Sequence, residues 1–395
     1  MNNIFLNKNK EKKKKLNKNK TILTFTFIAL FIIIVILFVF YASNEKFRVF
    51  FDIKILRKEI SEKSSAIIEI DPQYIKNIYA YDKYVVVLNK NKLILYNNNA
   101  KIDHELDIII TNPIFESNNR FLCIFEDNGQ SIYLINGTQQ IWKKDLEGNI
   151  SNVHVNKNGY VSVILSGTSY KTVIVTFNPE GKELFKTYLS TTNTVAVQIS
   201  NDNKYLAIAE VDTTGTVIQS NIKIISIEKA QTEPSNSIIY TYKADPNSMI
   251  VNIKYQSKNR LVCMYDDSFH IIYEQNNEYI SELKDNKVLF ADINLKENLV
   301  KITEKASMLF SSESEALIIN IDNRKESTYT INGIPKSMST YDNIIAFNLG
   351  TEVHFINTNG WLIKKYISLQ EIKQVVFNSN FAGIVYSDRI ELINL

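Results

Sequence analysis

The chain has 395 residues, 45% apolar and 22% charged, which supplies a large core and excludes a disordered or fibrous chain. Its formal charge of +3 is unevenly placed: eight of the 45 basic residues fall in the first 20 positions, leaving 37 basic against 41 acidic residues beyond residue 43. A mildly acidic body excludes a nucleic-acid binder, which needs a basic face, and the two cysteines, Cys123 and Cys263, are too few for a zinc-finger or iron–sulfur site.

In chain order, residues 1–20 form a Lys-rich tail whose basic cluster includes Lys12, Lys13, Lys14, Lys15, Lys18 and Lys20. Residues 21–41, TILTFTFIALFIIIVILFVFY, carry no charge, Gly or Pro. A helix of that length spans about 30 Å, the thickness of a bilayer core, so one transmembrane helix is predicted there. The run is longer than a signal-peptide core, and YASNEK is a poor cleavage site, which favours an uncleaved anchor. The lysines place the N-terminus in the cytoplasm and the C-terminal domain outside the cell; contact of the tail with anionic headgroups is compatible with this role. Residues 42–65 are predicted as a juxtamembrane linker or short helix, with Phe47, Phe50, Phe51, Ile55 and Leu56 as a stripe.

From residue 66 to 395 the sequence reads as an all-β domain. A polar turn followed by an apolar run recurs eight times: YVVVL at 84, FLCIF at 121, YVSVIL at 160, YLAIA at 205, LVCMY at 261, LVKI at 299, IIAF at 344 and FAGIVY at 381. The steps are 37, 39, 45, 56, 38, 45 and 37 residues, with a mean of about 42. Each run is followed by a second run, usually ending on Asn or Asp, such as LILYN or IYLIN, and then by a hairpin into a further strand, as in NGTQQIWKKDL and NTNGWLIKKYI. Four strands per 42 residues is the period of a propeller blade. Continuous apolar runs suit strands covered on both faces, and a sandwich would not repeat at this interval. The predicted fold is an eight-bladed β-propeller of four-stranded blades, with seven blades as the alternative. The chain ends on IELINL, a third strand, and AIIEI at 66–70 can supply the missing fourth, closing the ring. Cys123 and Cys263 then lie in equivalent strands of blades 2 and 5, too far apart for a disulfide, and are expected as free buried thiols.

The hairpins Gly137…Trp142 and Gly360-Trp361 resemble those of quinoprotein-like and WD40-like propellers. The layout resembles uncharacterised, membrane-anchored propellers of low-GC Gram-positive bacteria. The chain lacks the WD dipeptide, its Gly-His partner and a regular Gly-x-x-x-Trp, so the resemblance implies no quinone chemistry and carries over no functional residue.

Chemistry-bearing motifs are scarce. No phosphate loop, G-x-S-x-G elbow or H-E-x-x-H occurs, and only 11 Gly are present. The four histidines, His104, His154, His270 and His354, fall in blades 1, 3, 5 and 7 and do not form a cluster. His154, in VHV on a predicted innermost strand, is the candidate at the central channel. The acidic pairs in Glu126-Asp127-Asn128-Gly129 and Asp266-Asp267 suit turns as readily as cations. No catalytic residue, cofactor or metal is expected. These features point to a binding or scaffold module with a protein or envelope-polymer partner and no nucleic acid, rather than an enzyme. The alternative is an exported lyase or hydrolase acting on envelope polymer, which requires acids and histidines converging at one mouth of the channel.

Overall fold

The computed structural model describes residues 23, 25–41, 47, 51, 66–283, 287–308 and 311–395. The chain divides into two compact units, Met1–Ile60 and Ser61–Leu395. In the first, residues 25–41 are helical and their apolar side chains are exposed, Phe27 at 70% and Phe31 at 66%. Of the predicted span 21–41, residues 21, 22 and 24 lie outside the described residues; among the described residues no helix is long and apolar enough to cross a membrane. The Lys-rich tail, with Lys12, Lys13, Lys14, Lys15, Lys18 and Lys20, and all of 42–65 except 47 and 51 also lie outside them.

The second unit is an eight-bladed propeller: eight antiparallel sheets of four strands each. Blade 1 has strands Ile78–Tyr81, Tyr84–Asn89, Lys92–Tyr96 and Ile102–Asp107. The second strands of the other blades are Phe121–Glu126, Val161–Ser166, Tyr205–Asp212, Leu261–Tyr265, Asn298–Met308, Ile344–Asn348 and Phe381–Val385. These are the recurrent apolar runs, within a residue of their expected starts. The polar turns before them put Asp82, Asn119, Asn203 and Asp342 at φ of 50°, 55°, 62° and 50°. Asn and Asp tolerate this left-handed backbone better than other residues with a β-carbon, which is why the turns are written in those letters.

Burial explains the apolar runs. The first five residues of Tyr84–Asn89 are buried, whereas the outer strand Ile102–Asp107 is almost wholly exposed. Alternate residues of one strand feed different cores. Leu122 and Ile124 pack with Tyr84, Val86 and Leu95 of blade 1, while Cys123 and Phe125 pack with Val153, Val163 and Val175 of blade 3. Every blade junction holds one such apolar cluster. The Gly-aromatic hairpins belong to this packing: Gly181, at φ 81°, receives the Trp142 indole of the preceding blade, and a β-carbon there would lie 2.8 Å from the ring.

The ring closes where the sequence places it. Ala66–Glu69 pairs with Arg389–Asn394 as the fourth strand of blade 8, with Ala66 opposite Leu392 and Glu69 opposite Arg389. Ile68 joins Ile390 and Leu392 against Ile78, Val85 and Val87 of blade 1. The long repeat steps have local causes. Blade 4 inserts a helix, Ile227–Thr232, capped by Ser226 and followed by Pro234, before its outer strand Ile238–Lys243. Blade 6 extends its central hairpin through Asn298–Met308 and Ser311–Asn320.

Cys123 and Cys263 are free and buried, and burial pushes both thiols far above their ordinary value. A thiolate reagent is therefore expected to label neither in the native protein and both after unfolding in guanidinium chloride; labelling of either native thiol would contradict this packing. Truncating the closing strand with Ile68→Ala is expected to cost about 3 kcal/mol in a denaturant titration, the usual penalty for emptying a buried isoleucine site.

Candidate functional site

The first strands form the inner edges of the blades. Their C-terminal ends, with the loops to the second strands, surround one cavity of about 780 Å³. All eight blades contribute to it, from Tyr79 and Asp82 of blade 1 to Ser379 of blade 8. A belt of inter-blade hydrogen bonds fixes these loops. Asn156 Nδ2 donates to the Ser200 carbonyl (3.2 Å), Asn201 Nδ2 to that of Gln256 (3.0 Å), and Gln256 Nε2 to that of Leu295 (2.7 Å). The Lys296 N–H donates to the Asp342 carbonyl (2.8 Å), and Asn378 Nδ2 to that of Asp82 (2.9 Å), carrying the belt across the closure. The loop ends therefore sit on a rigid frame, as a site held to fixed geometry requires.

First-strand side chains from six blades line the cavity: Tyr79, Glu116, His154, Gln198, Lys254 and Thr340. Tyr79 stacks on Phe115 at 5.5 Å and shares a 3.2 Å hydrogen bond with Ser117; burial, helped by the nearby Glu116 charge, pushes its hydroxyl up to about 12. Lys254 Nζ donates to the Asn294 carbonyl at 2.7 Å. Burial pulls this ammonium below its ordinary value, against the opposing pull of Asp292, Glu116 and Asp342. Asp292 accepts from the Thr340 hydroxyl at 3.0 Å and from Asn294, yet burial still raises its carboxyl above the usual range. Both shifts have one cause: burial at these two positions disfavours charge of either sign.

His154 lies on the innermost strand Asn149–Val155 of blade 3, and its side chain is 7% exposed. Nδ1 stands 3.8 Å from Glu116 Oε1, beyond hydrogen-bonding distance, and neither ring nitrogen has a hydrogen-bond partner. The other histidines lie elsewhere. His104 is on the outer strand of blade 1, His270 contacts Asn277 and Ser268 in blade 5, and His354, on the third strand of blade 7, contacts Glu352 of its own strand and Tyr329 of blade 6. The acidic hairpins serve the fold: the Gly129 N–H closes a turn on the Glu126 carbonyl at 3.1 Å, and Asp267 accepts from the Ser248 and Ser268 hydroxyls. Among the described residues no group of three or more His, Cys, Asp or Glu is placed to hold a metal ion.

Sequence reasoning picked out His154 and missed Glu116, Lys254, Tyr79 and Thr340. The available signal was position: each sits a few residues before the turn that opens an apolar run, as His154 does.

Residues 55–395 match the family described as "Family of unknown function (DUF5711)". No curated protein matches the chain by sequence. Similar solved structures include the C-terminal WD40 domain of Sif2 (13% identity, 86% of this chain and 99% of that one, TM-score 0.59). Sqt1 of Chaetomium thermophilum is 10% identical over 84% of this chain and 98% of its own, with a TM-score of 0.52. BamB of Moraxella catarrhalis is 10% identical over 84% and 99%, with a TM-score of 0.50. At these identities the likeness is one of fold, a WD40- and BamB-like propeller.

The mouth makes a pH-dependent expectation. Because the folded-state value of Asp292 is raised, its ionisation opposes folding, and the penalty grows as pH rises through that value. Asp292→Asn keeps an acceptor for Thr340. It is expected to unfold at a higher temperature than the wild type at neutral pH, with the gap closing as pH falls to the ordinary carboxylate value. A destabilised variant at neutral pH would contradict the assignment.

Proposed function

The chain belongs to the family of unknown function DUF5711, and for this member we propose a single-pass membrane-tethered binding module, with the Lys-rich end in the cytoplasm and the propeller outside the cell. The tether reading is supported by the uncharged stretch 21–41, the flanking Lys12, Lys13, Lys14, Lys15, Lys18 and Lys20, and the exposed apolar helix 25–41, a surface suited to lipid. Layout of this kind also agrees with the resemblance to membrane-anchored propellers. The single observation that carries the binding reading is the mouth: loops from eight blades, held by the inter-blade belt, converge on one open polar cavity. Loops on a closed ring can change residues without disturbing the core, and binding surfaces are built on such loops. The partner is a protein or an envelope polymer.

One observation favours the second reading, an exported lyase or hydrolase. Glu116, His154 and Asp342 do share one mouth, with 3.8 Å between Glu116 and His154. Incubation of the full-length protein with purified envelope polymer decides between the two: release of new reducing ends or unsaturated sugars, lost in His154→Ala, selects the enzyme.

The binding reading is tested by affinity capture on the full-length protein from detergent-solubilised envelopes, followed by mass spectrometry and sugar analysis. A component retained by the wild type and lost from Lys258→Glu, at the rim of the mouth, is the expected result. Equal recovery by both proteins, or none above a tag-only control, refutes it.

A further inference from the structure

We propose that the central mouth binds a neutral, polyhydroxylated ligand, one or two sugar residues of an envelope glycan, oriented by His154, Glu116 and Lys254. The inference rests on the binding reading above and names the chemistry of its ligand.

The first observation is His154. A buried imidazole with no partner at either nitrogen forfeits two hydrogen bonds that water would supply, and native proteins rarely leave such groups unmade. His154 is among the residues that line the cavity, and both of its ring nitrogens are buried. A hydroxyl can donate to or accept from an imidazole nitrogen whichever tautomer it holds, whereas an ionised carboxylate only accepts and an ammonium only donates. Glu116 beside it offers acceptors, and Lys254 offers donors beyond the one spent on Asn294.

The second observation is charge. The lining holds four carboxylates, Asp82, Glu116, Glu297 and Asp342, against the four lysines 157, 254, 258 and 296. The formal sum is zero, so the lining carries no net charge that would favour a polyanion over a polycation or the reverse. Burial also pulls Lys254 toward its neutral form, which disfavours a charged guest at the same depth. The remaining lining is amide, hydroxyl and aromatic apart from Ile199, so hydrogen-bonding groups outnumber apolar ones around the cavity. The volume, about 780 Å³, lies within the range of roughly 300–1,000 Å³ common to small-ligand sites.

The test is titration calorimetry on the full-length protein in detergent. The probes are neutral tetramers of N-acetylglucosamine, β-1,4-glucose, β-1,3-glucose and α-1,4-glucose, with tetragalacturonate and tetra-alanine as charged and peptide comparisons. At least one neutral tetramer is expected to bind. His154→Ala and Glu116→Gln should each weaken it about tenfold, the loss of one buried hydrogen bond, while His354→Gln, remote from the mouth, leaves affinity unchanged. Protection of Cys123 and Cys263 from thiol reagents reports that each variant is folded. Failure of every neutral tetramer overturns the proposal. So does sugar binding that ignores both His154→Ala and Glu116→Gln, or tighter, His154-dependent binding of tetragalacturonate or tetra-alanine. Envelope capture that still depends on Lys258 while every sugar fails would remove the ligand class and leave the binding module standing; loss of both removes the module.

Discussion

A four-stranded blade has two apolar faces and cannot bury either by itself. The rest of this molecule follows from that constraint. Leu122 and Ile124 need blade 1, Cys123 and Phe125 need blade 3, and the same division recurs around the ring. Stacking satisfies each face in turn but leaves two ends, and only a closed ring leaves none. The junctions fill with Val, Ile and Leu from second and third strands, so stability resides at mid-radius. The inner strands carry less of that duty, and their side chains are free to differ from blade to blade.

This division of labour decides what could be read from the letters alone. The second strands are covered on both faces, so YVVVL, FLCIF and IIAF are written without alternation, and the turns before them use Asn and Asp for a left-handed backbone. That pairing made blade number, strand order and the closing segment legible. The inner strands repeat no residue type: Tyr79, Glu116, His154, Gln198, Lys254 and Thr340 share a location and nothing else. Without coordinates, Glu116 and Lys254 are two charged residues among many, and their convergence depends on ring geometry, which a linear pattern does not carry. The short helix Ile227–Thr232 was hidden for another reason: it is too brief for helical periodicity and was visible only as surplus length in a 56-residue step.

The mouth is also where local rules are least satisfied. A histidine without hydrogen-bond partners, a lysine disfavoured in its charged form and a tyrosine held neutral line one cavity, and an aspartate likewise disfavoured as a charge contacts the lining residues Thr340 and Asn294. Elsewhere single side-chain atoms of Asn136, Thr194 and Asn221 also lack partners, whereas Glu210 pairs with Lys223 and accepts from Thr192 deep in blade 4. Several such groups gathered on one rigid frame are the pattern expected of a place that meets something from outside.

The strand Ala66–Glu69 joins the start of the propeller to its end, and this sets an order in time. During synthesis the clasp is made before the eight blades and waits for Arg389–Asn394, so no partly made propeller can complete the circle; the last-made strand is the one that locks the ring.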